Sequence, residues 1–183
     1  MRDVSRIVVG IGPGGFTGLR IGIATALALG QALRVPVVGV PTLEALALGM
    51  AGDVPDGGLL VPVIDAKRQE VFTAAYRAAG DGGLEVVAEP RAATVSGMAE
   101  LLGAAASAGD PVWLAGDGLP CCAGLTGPAA RPVPPECPSH MVSAVQLVRR
   151  ADAGGARPVA PIYLRLPDAE VNRLRRMSEA AHA

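Results

Sequence analysis

A chain of 183 residues, half of them apolar but only 3% aromatic, must build its core from Ala, Val, Leu and Ile, which suits helices packed closely on parallel strands. Its formal net charge of -1 leaves no basic footprint of the kind that tracks a nucleic-acid backbone. Cys121, Cys122 and Cys137 are odd in number and lack C-x-x-C spacing, so they indicate neither a disulfide framework nor a zinc site and fit a reducing cytoplasm.

In chain order, Met1 to Arg6 and the glycine-broken run behind it do not form a secretory leader. Arg6 to Gly10 reads as a buried strand and Phe16 to Leu33 as a long apolar helix, in which the stretch Ile21 to Leu29 is too short to span a bilayer. Val35 to Val40 is a second strand, and Pro41-Thr42-Leu43-Glu44 opens a helix running to about Met50. After a loop from Asp53 to Gly58 the rhythm changes. Leu59 to Ala66, Glu70 to Arg77 and Leu84 to Glu89 are three strands at the spacing of antiparallel neighbours.

Alternation then returns, with a helix from about Ser96 to Ser107, a strand Val112 to Ala115, a helical stretch after Gly118, a weak strand at Arg131 to Val133 and a helix Ser139 to Arg150. The tail from Asp168 to Ala183 is polar. The opening β-α-β-α matches the last four elements of the segment from Leu59 to Arg150, so the chain reads as beginning in the middle of a duplicated unit. That leaves Ile7, Val8 and Val9 on an open apolar sheet edge, a pairing hazard.

Gly10-Ile11-Gly12-Pro13-Gly14-Gly15 satisfies G-x-G-x-x-G between a strand and a helix. However, Pro13 removes a backbone donor, and the next strand ends in Gly39-Val40-Pro41 with no acid for a ribose. The glycines therefore read as a tight strand-to-helix turn. No Gly-Lys-Ser/Thr is present for a phosphate loop, and Lys67 is the sole lysine. In the following helix Gly18, Gly22, Ala26 and Gly30 recur every four residues and predict a stripe of low side-chain height, open to close approach by a helix of this chain or of another. Arg20 sits where the positive helix end disfavours a cation, and an acidic partner group would explain it.

Groups for acid-base, nucleophilic or metal chemistry are sparse: His140 and His182 are the only histidines, and there is no His-x-x-x-His and no G-x-S-x-G. Asp65-Ala66-Lys67-Arg68 and Gly116-Asp117-Gly118 each follow a strand, where α/β folds place ligands and where Asp and Gly also serve simply as turn formers.

The run Val9 to Gly22 resembles the G-x-G-P-G-S-F-T-G-[VL]-R-I-G signature of the TsaB (YeaZ) family, departing at Gly15, where Ser is usual. Val38 to Leu43 is similar to the family's "GVSTL", Asp65 to Phe72 to "DARxGEVY", and Pro161 to Arg165 to "PxYLR", so the likeness runs from Ile7 to Arg165. What the resemblance implies is an actin- and Hsp70-like (ASKHA) α/β fold of two ribonuclease-H-like lobes. Residues 1–55 would form a first lobe lacking its opening "DT[SA]" strand, hairpin and first helix; 56–167 would be the second lobe and 168–183 a polar tail.

It also implies a non-catalytic scaffold, with no cofactor or metal of its own, that supports a TsaD-type transferase in making threonylcarbamoyladenosine beside the tRNA anticodon. A TsaE-type ATPase joins that assembly, and this chain alone is expected to make no direct tRNA or membrane contact. Family members bind TsaD, and second copies of themselves, through helices of the first lobe. Carried onto this chain, the interface comprises Phe16, Gly18, Leu19, Arg20, Gly22, Ile23, Ala26 and Gly30. The competing reading is an enzyme of the same superfamily, either an ATP-using phosphotransferase with Asp65 and Gly116 to Gly118 lining a cleft, or a glycoprotease-like hydrolase.

Overall fold

The computed structural model describes residues 4–55, 57–80, 83–107, 109–126 and 130–165; the tail expected from Asp168 onward lies outside them. Among the described residues two sheets form. Strands β1 (Ile7–Gly10) and β2 (Val37–Val40) pair in parallel, with Val8 opposite Val38. The second sheet holds β3 (Leu59–Lys67), β4 (Glu70–Ala79), β5 (Gly83–Thr94), β6 (Val112–Ala115) and β7 (Ala130–Pro132), in the order β5-β4-β3-β6-β7. β3, β4 and β5 are antiparallel neighbours, whereas β6 runs parallel to both β3 and β7. The helices are α1 (Phe16–Leu33), α2 (Thr42–Ala51), α3 (Val95–Ser107) and α4 (Ala144–Arg150).

Strand β3 shows why the larger sheet is buried on both sides. Its side chains alternate, so Leu59, Val61 and Val63 face Met98, Leu101 and Leu102 of α3, while Leu60 joins Ala74 and Tyr76 against Leu43, Ala47 and Met50 of α2. The smaller sheet is covered by α1 on one face, where Gly30 lets the helix settle onto Val37. On the other face Val8, Val38 and Val40 meet Ala45 of α2, Leu147 of α4 and Ala151 just beyond it.

The element order follows the sequence reading, with four differences. β5 extends through Pro90 to Thr94, which this edge strand tolerates because Pro90 falls at a register shift opposite Thr73 to Ala75 of β4, where the ladder is interrupted. The stretch after Gly118 is a 3-10 turn, Leu119–Leu125. The helix expected from Ser139 splits into a 3-10 turn, Pro138–His140, and α4, because Ser143 and Gln146 form a reciprocal capping box that starts the helix afresh. Finally, the 18 residues of α1 taken together are long and apolar enough to cross a membrane by length and composition, Arg20 notwithstanding, so the short run Ile21 to Leu29 is not the measure of it. Arg34 in the left-handed region, with Pro36 beyond, ends α1.

One ion pair joins the layers. Arg150 at the end of α4 donates to Glu44 of α2 through both Nε (2.7 Å) and a terminal nitrogen (2.6 Å), and Arg157 approaches the other Glu44 oxygen at 3.5 Å. Both side chains are nearly enclosed, at 8% and 13% exposure. Gly155 is required beside them, since a Cβ there would lie 2.6 Å from Arg150 Nε.

At the tip of the β3–β4 hairpin, Lys67, Arg68 and Gln69 are all left-handed, with φ of 64°, 59° and 61°. Such backbone costs about 1 kcal/mol or more per residue away from glycine. Asp65 offsets part of this by accepting from the Lys67 N–H (2.7 Å) and from its ammonium (2.5 Å). These bonds hold the Asp65 carboxyl below its usual range and raise the Lys67 ammonium.

Two outcomes are expected. Arg150→Met, which strands Glu44 beside the more distant Arg157, lowers unfolding stability by about 3 kcal/mol in urea titrations at constant m, and the double variant with Glu44→Leu recovers most of it. A depressed folded-state carboxylate stabilises above its unfolded titration point and ceases to do so as pH falls through the folded one. The stability gap between the parent and Asp65→Asn is therefore largest at neutral pH and closes as pH falls through the lowered titration of the folded Asp65 carboxyl.

Candidate functional site

The loop from Ile11 to Gly15 leads from β1 into α1 and is braced from two directions. Thr42 at the start of α2 donates its N–H to the Gly12 carbonyl (2.7 Å) and accepts the Gly12 N–H on Oγ1 (3.1 Å). From the far end of the chain, the Ile162 N–H donates to the Ile11 carbonyl (2.7 Å). Gly12 has φ 102°, and a Cβ there would meet the Ile162 carbonyl oxygen at 2.8 Å, so this glycine serves the turn and its close neighbour, as the sequence suggested.

Helix α1 leaves this loop with one side on the sheet. Ile23, Ala26 and Gly30 are buried, and Phe16 and Leu19 are partly so. Gly18, Arg20 and Gly22 are exposed. The expected single stripe Gly18-Gly22-Ala26-Gly30 is thus divided: four residues overshoot a full turn by about 40°, so the row winds from the solvent side to the sheet side. A Cβ at Gly18 or Gly22 would touch nothing, whereas at Gly30 it would lie 2.2 Å from Val37.

The outer side is apolar. Ile21 is 62% exposed, Leu27 45% and Leu29 43%. Ile21 lies two residues before Ile23, so helical periodicity sets it on the side opposite the buried one.

Arg20 stands at one margin of this face. Its guanidinium carbon lies 3.9 Å from the Phe16 ring centroid, and Nε donates to the Tyr163 hydroxyl at 2.9 Å. The two rings pack on each other with centroids 5.2 Å apart. Tyr163 is a site residue that a local reading of the sequence could not reach, because it is 143 positions from Arg20.

Below the rings lies a cleft of about 570 Å³ between the two sheets, lined by the Pro13 to Phe16 loop, Asp65, Lys67, Asp117 and Ile162 to Arg165. The two strand-end segments singled out in sequence therefore meet: the Asp65 N–H donates to Asp117 Oδ1 at 2.9 Å. The turn holding Asp117 is fixed by Gly116, whose φ of 133° brings its Cα hydrogen where a Cβ would fall 1.9 Å from the Val63 carbonyl oxygen.

The Gly116 N–H donates to His140 Nδ1 at 3.4 Å, which places the ring proton on Nε2, shared between the carbonyls of Val133 and Pro134 at 3.1 and 3.0 Å. His140 is thus a strut with both nitrogens occupied. The charges of the cleft are likewise engaged with one another, Asp65 with Lys67 and Glu70 with Arg165 at 2.8 Å. Cys121, Cys122 and Cys137 are free thiols, and burial pushes Cys122 up, away from the reactive thiolate. Among the described residues no three His, Cys, Asp or Glu side chains gather as a metal site would need.

The family described as "TsaD: tRNA N6-adenosine threonylcarbamoyltransferase" matches residues 1–112. A Mycobacterium tuberculosis (strain ATCC 25618 / H37Rv) protein carrying the description "uncharacterized" is 37% identical over 170 residues, which cover 93% of this chain and 68% of that one. The tRNA threonylcarbamoyladenosine biosynthesis protein TsaB of Bacillus subtilis (strain 168) is 42% identical over 76 residues, 42% of this chain and 32% of that protein. Among solved structures, YeaZ from Pseudomonas aeruginosa superposes with a TM-score of 0.70 at 24% identity, over 89% of this chain and 76% of that chain. A second Pseudomonas aeruginosa structure, described as similar to peptidase YEAZ, gives a TM-score of 0.69 at 22% identity over 90% of this chain and 75% of that one. With these likenesses joined to the two-sheet architecture, the chain belongs to the TsaB (YeaZ) family and has its actin/Hsp70-like fold.

Proposed function

We propose that this chain is a non-catalytic scaffold subunit in tRNA threonylcarbamoyladenosine biosynthesis, and that it acts by presenting the open face of α1 to a TsaD-type transferase. The observation that carries this reading is the outer side of α1, where Ile21, Leu27 and Leu29 are exposed on an 18-residue helix and Gly18 and Gly22 leave room for a second helix to come close. Such a face on a helix anchored by its other side is the shape of a partner-helix seat.

The residues carried over from the family divide between two tasks in this reading. Gly18 and Gly22 are on the flank open to close approach and Arg20 is on the opposite flank beside Phe16 and Tyr163, while Ile23, Ala26 and Gly30 fix α1 to its own sheet and Leu19 is partly buried. Residues 1–55 and 56–167 are taken as the two lobes, and a TsaE-type ATPase and a second copy of the chain are further members of the assembly, which works in the cytoplasm.

A second reading is supported by the cleft. Its position between the sheets, at the ends of β1, β3 and β6, is where an ATP-using relative would hold nucleotide. The mutual pairing of Asp65 with Lys67 and of Glu70 with Arg165 favours the scaffold.

Calorimetric titration of the TsaD-type transferase from the same organism into this chain is expected to show saturable binding, and titration of magnesium-ATP into the chain alone is expected to show none. Nucleotide binding without transferase binding would reverse the order of the two readings. Gly22→Leu separates folding from docking: it removes a helix glycine worth about 0.5–1 kcal/mol without an internal clash, so the thermal midpoint rises or holds while transferase binding weakens at least tenfold.

A further inference from the structure

We infer that the C-terminal segment Glu170 to Arg176 docks in cis in a trough between β5 and α3, an inference that stands apart from the role of α1. The trough has a volume of about 380 Å³; Leu59 and Ala75 of the sheet form its floor, and Val87 and Ala88 of β5 and Ala104 and Ala105 of α3 its walls. It exists because small side chains face one another across this layer, where larger ones would close the gap at ordinary packing density. Val87 is 46% exposed at the mouth, on the edge strand of the sheet. Two interruptions of the β4–β5 ladder and Pro90 make that edge a poor template for an added strand, so an occupant is held by its side chains.

Charge at the two ends of the trough selects the occupant. Arg91 at one end is exposed and has no carboxylate partner among the described residues. At the other end Arg77 donates to both oxygens of Asp110 (3.4 and 2.9 Å), which leaves Glu85, opposite Arg77 in the ladder, without a hydrogen bond of its own among the described residues. The tail carries the complementary order. Arg165 pairs with Glu70, which lies opposite Thr94 at the end of β5, so Arg165 stands beside the end of this strand. Glu170 follows five residues later, an extended reach of about 17 Å, which covers the roughly 10 Å from Thr94 to Arg91 and the passage around the sheet edge. Four more residues bring the tail to Leu174 and β5 back to Val87, and two more bring them to Arg176 and Glu85. A single register therefore sets Glu170 on Arg91, Leu174 in the trough and Arg176 on Glu85. Because the tail is tethered at the correct end, it holds a high effective concentration that a second copy or a foreign chain lacks.

The test is amide hydrogen exchange of the full chain, read by mass spectrometry at two protein concentrations. Residues 170–176 are expected to exchange at least tenfold more slowly than an unfolded chain, to the same extent at both concentrations. Ala104→Trp, which fills the trough from an exposed position of α3, returns them to the unfolded rate. Leu174→Asp does the same from the tail side, where no described contact is disturbed, and thermal melts verify that both variants fold. Glu85→Arg weakens the protection, and adding Arg176→Glu in the same chain restores it. Exchange of the parent tail at the unfolded rate overturns the inference, as does protection that survives Ala104→Trp or a charge swap without recovery. Protection that grows with protein concentration overturns it in favour of a second copy, and protection that appears only when another protein is added overturns it in favour of a foreign chain.

Discussion

The Glu44–Arg150 ion pair is the joint on which the arrangement depends. Glu44 sits in the first turn of α2, where the helix dipole already favours an anion, and α2 packs on both sheets. Arg150 comes from the end of α4, and Arg157 reaches the same carboxylate from a segment whose N–H and carbonyl both bond to Gly39 of β2. One carboxylate thus ties α2, α4 and the outer edge of the smaller sheet. An enclosed pair of this kind adds little net stability over a well-packed apolar substitute, so its value lies in fixing geometry: α2 and α4 have one relative register in which both hydrogen bonds form.

That fixed geometry is what lets α1 be so lightly held. A helix with only three fully buried residues would drift if the sheet beneath it could slide. Because β2 is clamped on its far side and the Ile11 to Gly15 loop is pinned by Thr42 and Ile162, the base of α1 is rigid while its outer face stays free. Rigid support beneath an exposed apolar surface is the arrangement in which binding does not require the scaffold to reorganise.

Much of this was legible in the sequence, for identifiable reasons. The continuous apolar run Leu59 to Ile64 and the long, largely apolar stretch of α1 mark element type, and the glycine turn before Phe16 reads as a turn because Pro13 and the missing acid after β2 speak against a dinucleotide. The Ser143–Gln146 capping box was present in the letters but was overrun by the helical periodicity on either side of Met141. What no local pattern carried were the pairings across long separations: Glu44 with Arg150, His140 with the Gly116 turn, Arg20 with Tyr163. Each joins residues whose type suits several partners, and only the folded topology chooses among them.

Those same long separations set an order on how the chain is made. The loop ahead of α1 closes on Ile162, β2 closes on Arg157, and Arg6 pairs with Asp152, so the smaller sheet, synthesised before the larger one, is completed only by residues near the end of the described chain. At a translation rate of about 5–20 residues per second, the α1 segment spends several seconds outside the ribosome before its closing partners emerge. During that interval the five-stranded sheet, whose neighbouring strands β3, β4 and β5 lie close in sequence, can form by itself, and the smaller sheet then docks onto it. The smaller sheet is therefore the last part to become native, and a nascent chain holds α1, with its apolar outer side chains, uncovered until then.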